Sequence, residues 1–198
     1  MANYRAIATV CDAIVDLFRD NYRREDFNDN DLEFAVYQAR DFSQQPMAAG
    51  VSLFLYRIVP NASHRNPAGR MGADGRRQRP QLPLDLHFIL TVWGGDASLQ
   101  HTIAGWMMRV MHDAAILPVG HLNRRYGAIF HQAETVEITL HELPNEDLLR
   151  LWEALAQNSY HLSVPYIARM VMIESTQFLG QGEPVQERVF DYVENEAS

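Results

Sequence analysis

Two stretches decide the fold: VSLFLYRIV at 51–59 and LDLHFILTVW at 84–93. Both are dense in β-branched and aromatic residues, and the first is bounded by Gly50 and Pro60. That composition between chain breakers predicts strands, and the two are expected to be neighbours in one sheet. Between them runs 60–83, PNASHRNPAGRMGADGRRQRPQLP, with four prolines, three glycines, five arginines and no hydrophobic period. Such a segment reads as a long loop, and loops of this length in a compact domain are usually functional or disordered.

The pattern changes period on either side. Upstream, Ile7, Val10, Cys11, Ile14, Leu17 and Phe18 recur at helical spacing, which predicts an amphipathic helix over 4–23. Residues 32–42 (LEFAVYQARDF) read as a further strand, closed by Pro46. Downstream, Asp96 stands as the N-cap of a helix over 97–114, with Leu99, Ile103, Trp106, Met107, Val110 and Met111 on one face. Residues 135–142 alternate, Val136, Ile138 and Leu140 against Thr135, Glu137, Thr139 and His141, as in a strand with one buried face. A short helix is expected over 146–157 and a last core strand over 162–174, where Pro165 suggests an edge position or an irregular entry.

The order is therefore α-β-β-β-α-β-α-β. It predicts an α+β fold in a single domain, with a mixed or antiparallel sheet and helices packed mainly on one face. The domain is expected to span 1–182, with 183–198 as an acidic C-terminal tail in which Val185, Phe190 and Tyr192 have the makings of an added strand.

Several chemistries lack their parts. All 17 basic residues are arginine, so a lysine nucleophile, a Schiff-base lysine and a Walker-type phosphate loop are excluded. The single cysteine, Cys11, excludes an internal disulfide and a cysteine-based zinc cluster, and its place on an apolar helical stripe suits an inert thiol. His121, His131 and His141 are ten residues apart, a spacing that no local element turns into a ligand set, and His141-Glu142 is not followed by a second histidine at metalloprotease spacing. No catalytic, cofactor-binding or metal-ligating residues are assigned, and the expectation is a protein that is not an enzyme. The N-terminus has no basic region followed by an unbroken apolar run, and no stretch approaches the roughly 20 apolar residues of a membrane span, so synthesis in the cytoplasm and no membrane partner are expected.

Charge singles out one segment. Arg65, Arg70, Arg76, Arg77 and Arg79 against Asp74 give residues 61–80 a charge of +4, which leaves −12 for the rest of a chain whose net charge is −8. Arginine's planar fork binds carboxylates and phosphates in pairs of hydrogen bonds, so these five residues are the candidate partner-binding site. The acidic balance argues against a nucleic-acid binder, leaving an acidic protein surface, including another copy of this chain, as the fitting partner. A nucleic-acid-associated or small-molecule binding module that uses the same loop is the alternative.

The residues also carry a resemblance. Pro60-Asn61 and Arg65-Asn66 precede Leu84-Asp85-Leu86-His87-Phe88; His112-Asp113 and Ile116-Leu117-Pro118 follow the long helix; Val136 to Leu140 precede Leu148 to Trp152; and Leu162-Ser163-Val164-Pro165-Tyr166 lead the last strand. In order and spacing this resembles the N-terminal domain of the tail-terminator (cap) proteins of extracellular contractile phage-tail-like injection systems. The resemblance implies a homohexameric ring at the distal end of the tail. Such a ring would contact the inner-tube protein and the sheath protein, end the growth of both, and form part of a particle that is released. It implies no cofactor and no catalytic residue.

Overall fold

A computed structural model describes residues 3–44, 46–61, 77–156 and 159–178. Six strands form one mixed sheet in the order β1-β2-β3-β6-β5-β4. The two deciding stretches become β2 (Gly50–Pro60) and β3 (Leu82–Trp93), paired antiparallel from Gly50↔Trp93 to Pro60↔Leu84 as expected. β6 (Ser163–Ile173) lies on the other side of β3, and β5 (Val136–Leu140) and β4 (Ile116–Leu117) complete that half, all antiparallel. β1 (Glu33–Val36) runs parallel to β2 at the opposite edge.

β1 is shorter than the 32–42 stretch read as a strand. Pairing ends where Tyr37 N–H donates to Leu53 O, and the Asp41 carboxylate then accepts from Gln38 N–H at 2.7 Å and opens the short helix α2 (Asp41–Gln44). Entry from β1 to β2 is governed by Gly50. Its φ of +143° is a conformation that L side chains rarely adopt, and a Cβ there would lie 1.9 Å from Glu33 O. The parallel register Glu33↔Gly50 therefore depends on glycine.

The two long helices, α1 (Ala6–Asn21) and α3 (Ala97–Asp113), lie on one face of the sheet. α1 buries Val10, Cys11, Ile14 and Phe18, and α3 buries Ile103, Met107, Val110 and Met111, against Leu84, Leu86, Phe88, Leu90 and Val92 of β3. Asp96 caps α3 as expected, its carboxylate accepting from Leu99 N–H at 2.9 Å. Trp106 packs its ring among Phe18, Phe27 and Phe34, with centroids 5.4–5.8 Å apart, and so ties α3 to α1 and β1.

The alternate residues of β3, Ile89 and Trp93, point to the second face. There they meet Tyr37, Phe42, Met47 and Trp152 in a smaller core under α2 and α5 (Asn145–Ala156). Two hydrogen-bonded pairs sit on this face: Trp93 Nε1 donates to Ser52 Oγ at 2.8 Å, and Thr91 Oγ1 lies 3.0 Å from Ser163 Oγ.

Pro165 is not on an edge, because β6 is interior between β3 and β5. Its carbonyl accepts from His141 N–H at 3.0 Å, just past the end of β5. Backbone N–H and C=O of one strand residue point the same way, so the N–H that proline lacks would face the frayed end of β5, where only the last bond of that ladder is lost.

Candidate interaction surfaces

The arginine loop is rooted in a short antiparallel ribbon that prolongs β3 and β6. Beyond Leu82↔Ile173, Gln78 bridges to Phe178, Arg79 N–H donates to Gln177 O at 3.1 Å, and Gln81 Nε2 donates to Glu174 Oε1 at 3.0 Å. Arg77 and Arg79 are both exposed on this ribbon. Of the five predicted partner-binding arginines these two are brought together; Arg65, Arg70 and Arg76 lie outside the described residues, as does the 183–198 tail.

Below the ribbon, β6 carries a bulge. The β3 register passes from Leu84↔Val171 to Leu86↔Ala168, so two residues of β6, Arg169 and Met170, oppose Asp85 alone. Met170 takes φ +58° to do so. Asp85 holds the distortion: its Oδ1 accepts from Met170 N–H at 3.1 Å, and its two oxygens lie 3.1 and 2.9 Å from Asn61 Nδ2. Asn61 N–H also donates to Pro83 O at 2.9 Å. The point where the chain leaves β2 for the arginine loop is thus clamped to the strand by which it returns.

A second bulge at Tyr56, between Leu55↔Phe88 and Arg57↔His87, lies against two histidines on the second face of the sheet. The His87 and His141 rings meet edge-on with centroids 4.8 Å apart, and Tyr56 stands 6.2 Å from His87. Burial, then the neighbouring His141 and Arg57, hold His87 below the ordinary histidine range; burial and Arg57 do the same to His141. His87 Nδ1 and the Tyr56 hydroxyl are buried without a hydrogen-bond partner. Such a pair favours neutral rings over charge, and the adjacent Arg57 opposes a metal cation there. Among the described residues no group of three or more His, Cys, Asp or Glu side chains is arranged to hold a metal ion, and no helix is long and apolar enough to cross a membrane.

Near the β4 edge the sheet presents an apolar groove of about 530 Å³ between α3 and β5, lined by Gly105, Met108, Met111, Ile138, Leu140 and Tyr166. Leu140 is 59% exposed, which corrects the expectation of one continuous buried face on β5: Val136 and Ile138 are buried, but α3 does not extend over Leu140. Met108 is exposed beside it. Sequence periodicity does not find this surface, because it assigns a face to a strand without saying which strands the helix covers.

On α1, by contrast, a row of acids is already answered. Arg125 pairs with Asp12 and Asp16 at 3.1 and 2.9 Å, Arg124 pairs with Asp20, and the Tyr126 hydroxyl donates to Asp12 at 2.6 Å. These contacts dock the segment after α4 (Val119–Leu122) onto α1 and leave that face little unbalanced charge for a partner.

Comparison with solved structures finds similar chains, among them the following two. One is the sheath/tube terminator, in its extended state, of the extracellular contractile injection system PVC, at 17% identity and a TM-score of 0.63, covering 97% of this chain and 64% of that one. The other is the anti-feeding prophage cap, the AFP tube-terminating cap, at 15% identity and a TM-score of 0.59, covering 92% of this chain and 60% of that one. At these identities the likeness is one of fold, and the chain spans less than two thirds of the length of either relative. No curated protein sequence matches. The family model described as the Pvc16 N-terminal domain matches residues 9–187, nearly the whole chain, and the chain belongs to that family.

Proposed function

We propose that this chain is a structural assembly protein: the terminator, or cap, domain that forms a ring on the end of a contractile injection-system tail and ends the growth of tube and sheath. The observation that carries this reading is the family match over residues 9–187, joined to a fold shared along almost the full chain with a sheath/tube terminator and a tube-terminating cap. The surfaces are of the kind such a role uses. Two exposed arginines stand on the ribbon that prolongs β3 and β6, and an apolar groove opens near the short β4 edge. Rings of six copies, contact with the inner tube and the sheath, and the absence of catalysis all belong to this reading.

A terminator acts by occupying the last tube layer and offering no further copy of the surface that tube subunits add to. Particles assembled without the chain are therefore expected to carry tubes of scattered length, where particles that contain it carry tubes of one length. Equal length distributions in the two preparations would rule out the termination role.

A further inference from the structure

We propose that the groove between α3 and β5 receives residues 183–198 of a second copy of this chain, so that copies join head to tail; the inference rests on the ring-forming reading above and assigns its contact.

The groove has the features of a surface made to be covered. Met108 and Leu140 are 42% and 59% exposed at its mouth. Gly105, in the middle of α3, has no atom of the described residues near enough to touch an added Cβ, so none of them requires glycine there although glycine weakens a helix. A second backbone approaching α3 would require it. The sheet edge is open at the same place. β4 pairs only with Val136 and Glu137; Ile138 N–H points outward to Ala115 O, and His141 N–H points inward to Pro165 O. By the alternation of a strand, the N–H and C=O of Leu140 face outward, ready to pair with an extended chain.

The segment EPVQERVFDYVENEAS at 183–198 has matching chemistry. Phe190 and Tyr192 alternate with Val189, Asp191 and Val193, which places two aromatic rings on one face of an extended chain. Its five acids against Arg188 suit the rim, where Arg109 and His112 line the groove. Arg109 is paired with Asp113, but both side chains are more than half exposed, and such a pair contributes little that a new partner must replace.

Placement selects the second copy. The chain is last described at Phe178, on the ribbon beyond the C-terminal end of β6, whereas the groove lies against Tyr166 near the N-terminal end of the same strand. At roughly 3.3 Å per residue these points are about 40 Å apart, and Phe190 and Tyr192, 12 and 14 residues beyond Phe178, reach the groove of their own copy only with the chain drawn out straight, a limit that a second copy does not impose. A contact between unlike ends is heterologous, and when its rotation closes it makes a ring.

The test uses the full chain, the chain deleted for 183–198, and co-expressed Leu140→Cys and Tyr192→Cys chains. Native mass measurement is expected to show an oligomer for the full chain and single chains for the deletion. Mild oxidation of the co-expressed variants is expected to give a covalent dimer joining one chain of each kind, which neither variant gives alone; Cys11 is buried and does not compete. If the deleted chain keeps the full oligomer and no mixed dimer forms, this contact is wrong while the ring survives. If the full chain itself has the mass of one copy, both readings fall. A disulfide formed only within a chain carrying both cysteines, and never between chains, would also overturn the proposal, since the segment would then fill its own groove.

Discussion

Asn61 Nδ2 lies 2.9 and 3.1 Å from the two oxygens of the Asp85 carboxylate, and the same carboxylate accepts from Met170 N–H at 3.1 Å. One side chain thus joins the exit from β2, the middle of β3 and the bulge of β6. Replacing Asp85 with alanine removes the acceptor of three close contacts in a partly buried setting. The expected loss is about 2–3 kcal/mol, and Asp85→Asn, which keeps one oxygen, should lose less. Urea midpoints of the three proteins check this.

Gly50→Ala is expected to be more severe. The new Cβ would lie 1.9 Å from Glu33 O in a backbone conformation with φ +143°, so the parallel β1–β2 pairing must open. A loss of about 3 kcal/mol or more belongs to this class of backbone clash. Hydrogen exchange at Glu33 and Tyr37, whose N–H groups donate to Ala49 and Leu53, should rise with it, while substitution of the exposed Gly95, where nothing lies near, should leave exchange unchanged.

These two sites also measure how much was legible beforehand. Pro60, Asn61 and Asp85 stand out in the sequence, and the stretches that contain them announce β2 and β3 by composition alone. Their mutual contact does not, because it joins residues across a long loop and depends on a bulge that adds one residue to β6. The helices were plain for the same local reason: Asp96 is a cap by residue type, and the stripes on α1 and α3 need only a period of 3.6. The strand reading overshoots β1 because Phe34, Val36 and Tyr37 are followed by Phe42 with no proline or glycine before Pro46, whereas the Asp41 carboxylate turns the chain. The groove at Leu140 is hidden, since exposure there is set by which strands α3 covers, a tertiary fact. Arg77 and Arg79 were singled out by charge, and their position on a shared ribbon with Gln177 and Phe178 came only from the fold.

The His87–His141 pair gives a pH dependence of definite sign. Both folded-state values are lowered from the ordinary 6.5, so the unfolded chain binds these protons more readily. Their contribution to stability is full above about pH 6.5, falls as the pH drops through that value, and levels off below the lower folded-state values. His141→Gln should flatten this slope, both by removing one titrating ring and by relieving its neighbour. Denaturation midpoints between pH 7.5 and about 5, for the native chain and the variant, are the measurement.

Cys11 should be silent to thiol reagents. It is 5% exposed on the buried side of α1, and burial pushes its thiol up to about 12. A soluble aromatic disulfide reagent is expected to label nothing in the native protein and one thiol per chain in guanidinium. Rapid labelling without denaturant would show that α1 opens readily from the sheet.

The central claim is that the chain ends a tube, and ends are countable. Cognate inner tubes sheared to two different mean lengths, incubated with excess purified chain and sedimented, measure the chain bound per tube. The account predicts the same number of bound chains per tube for long and short tubes, with density added at one end in electron micrographs. Binding that grows in proportion to tube length, or no binding at all, would contradict it.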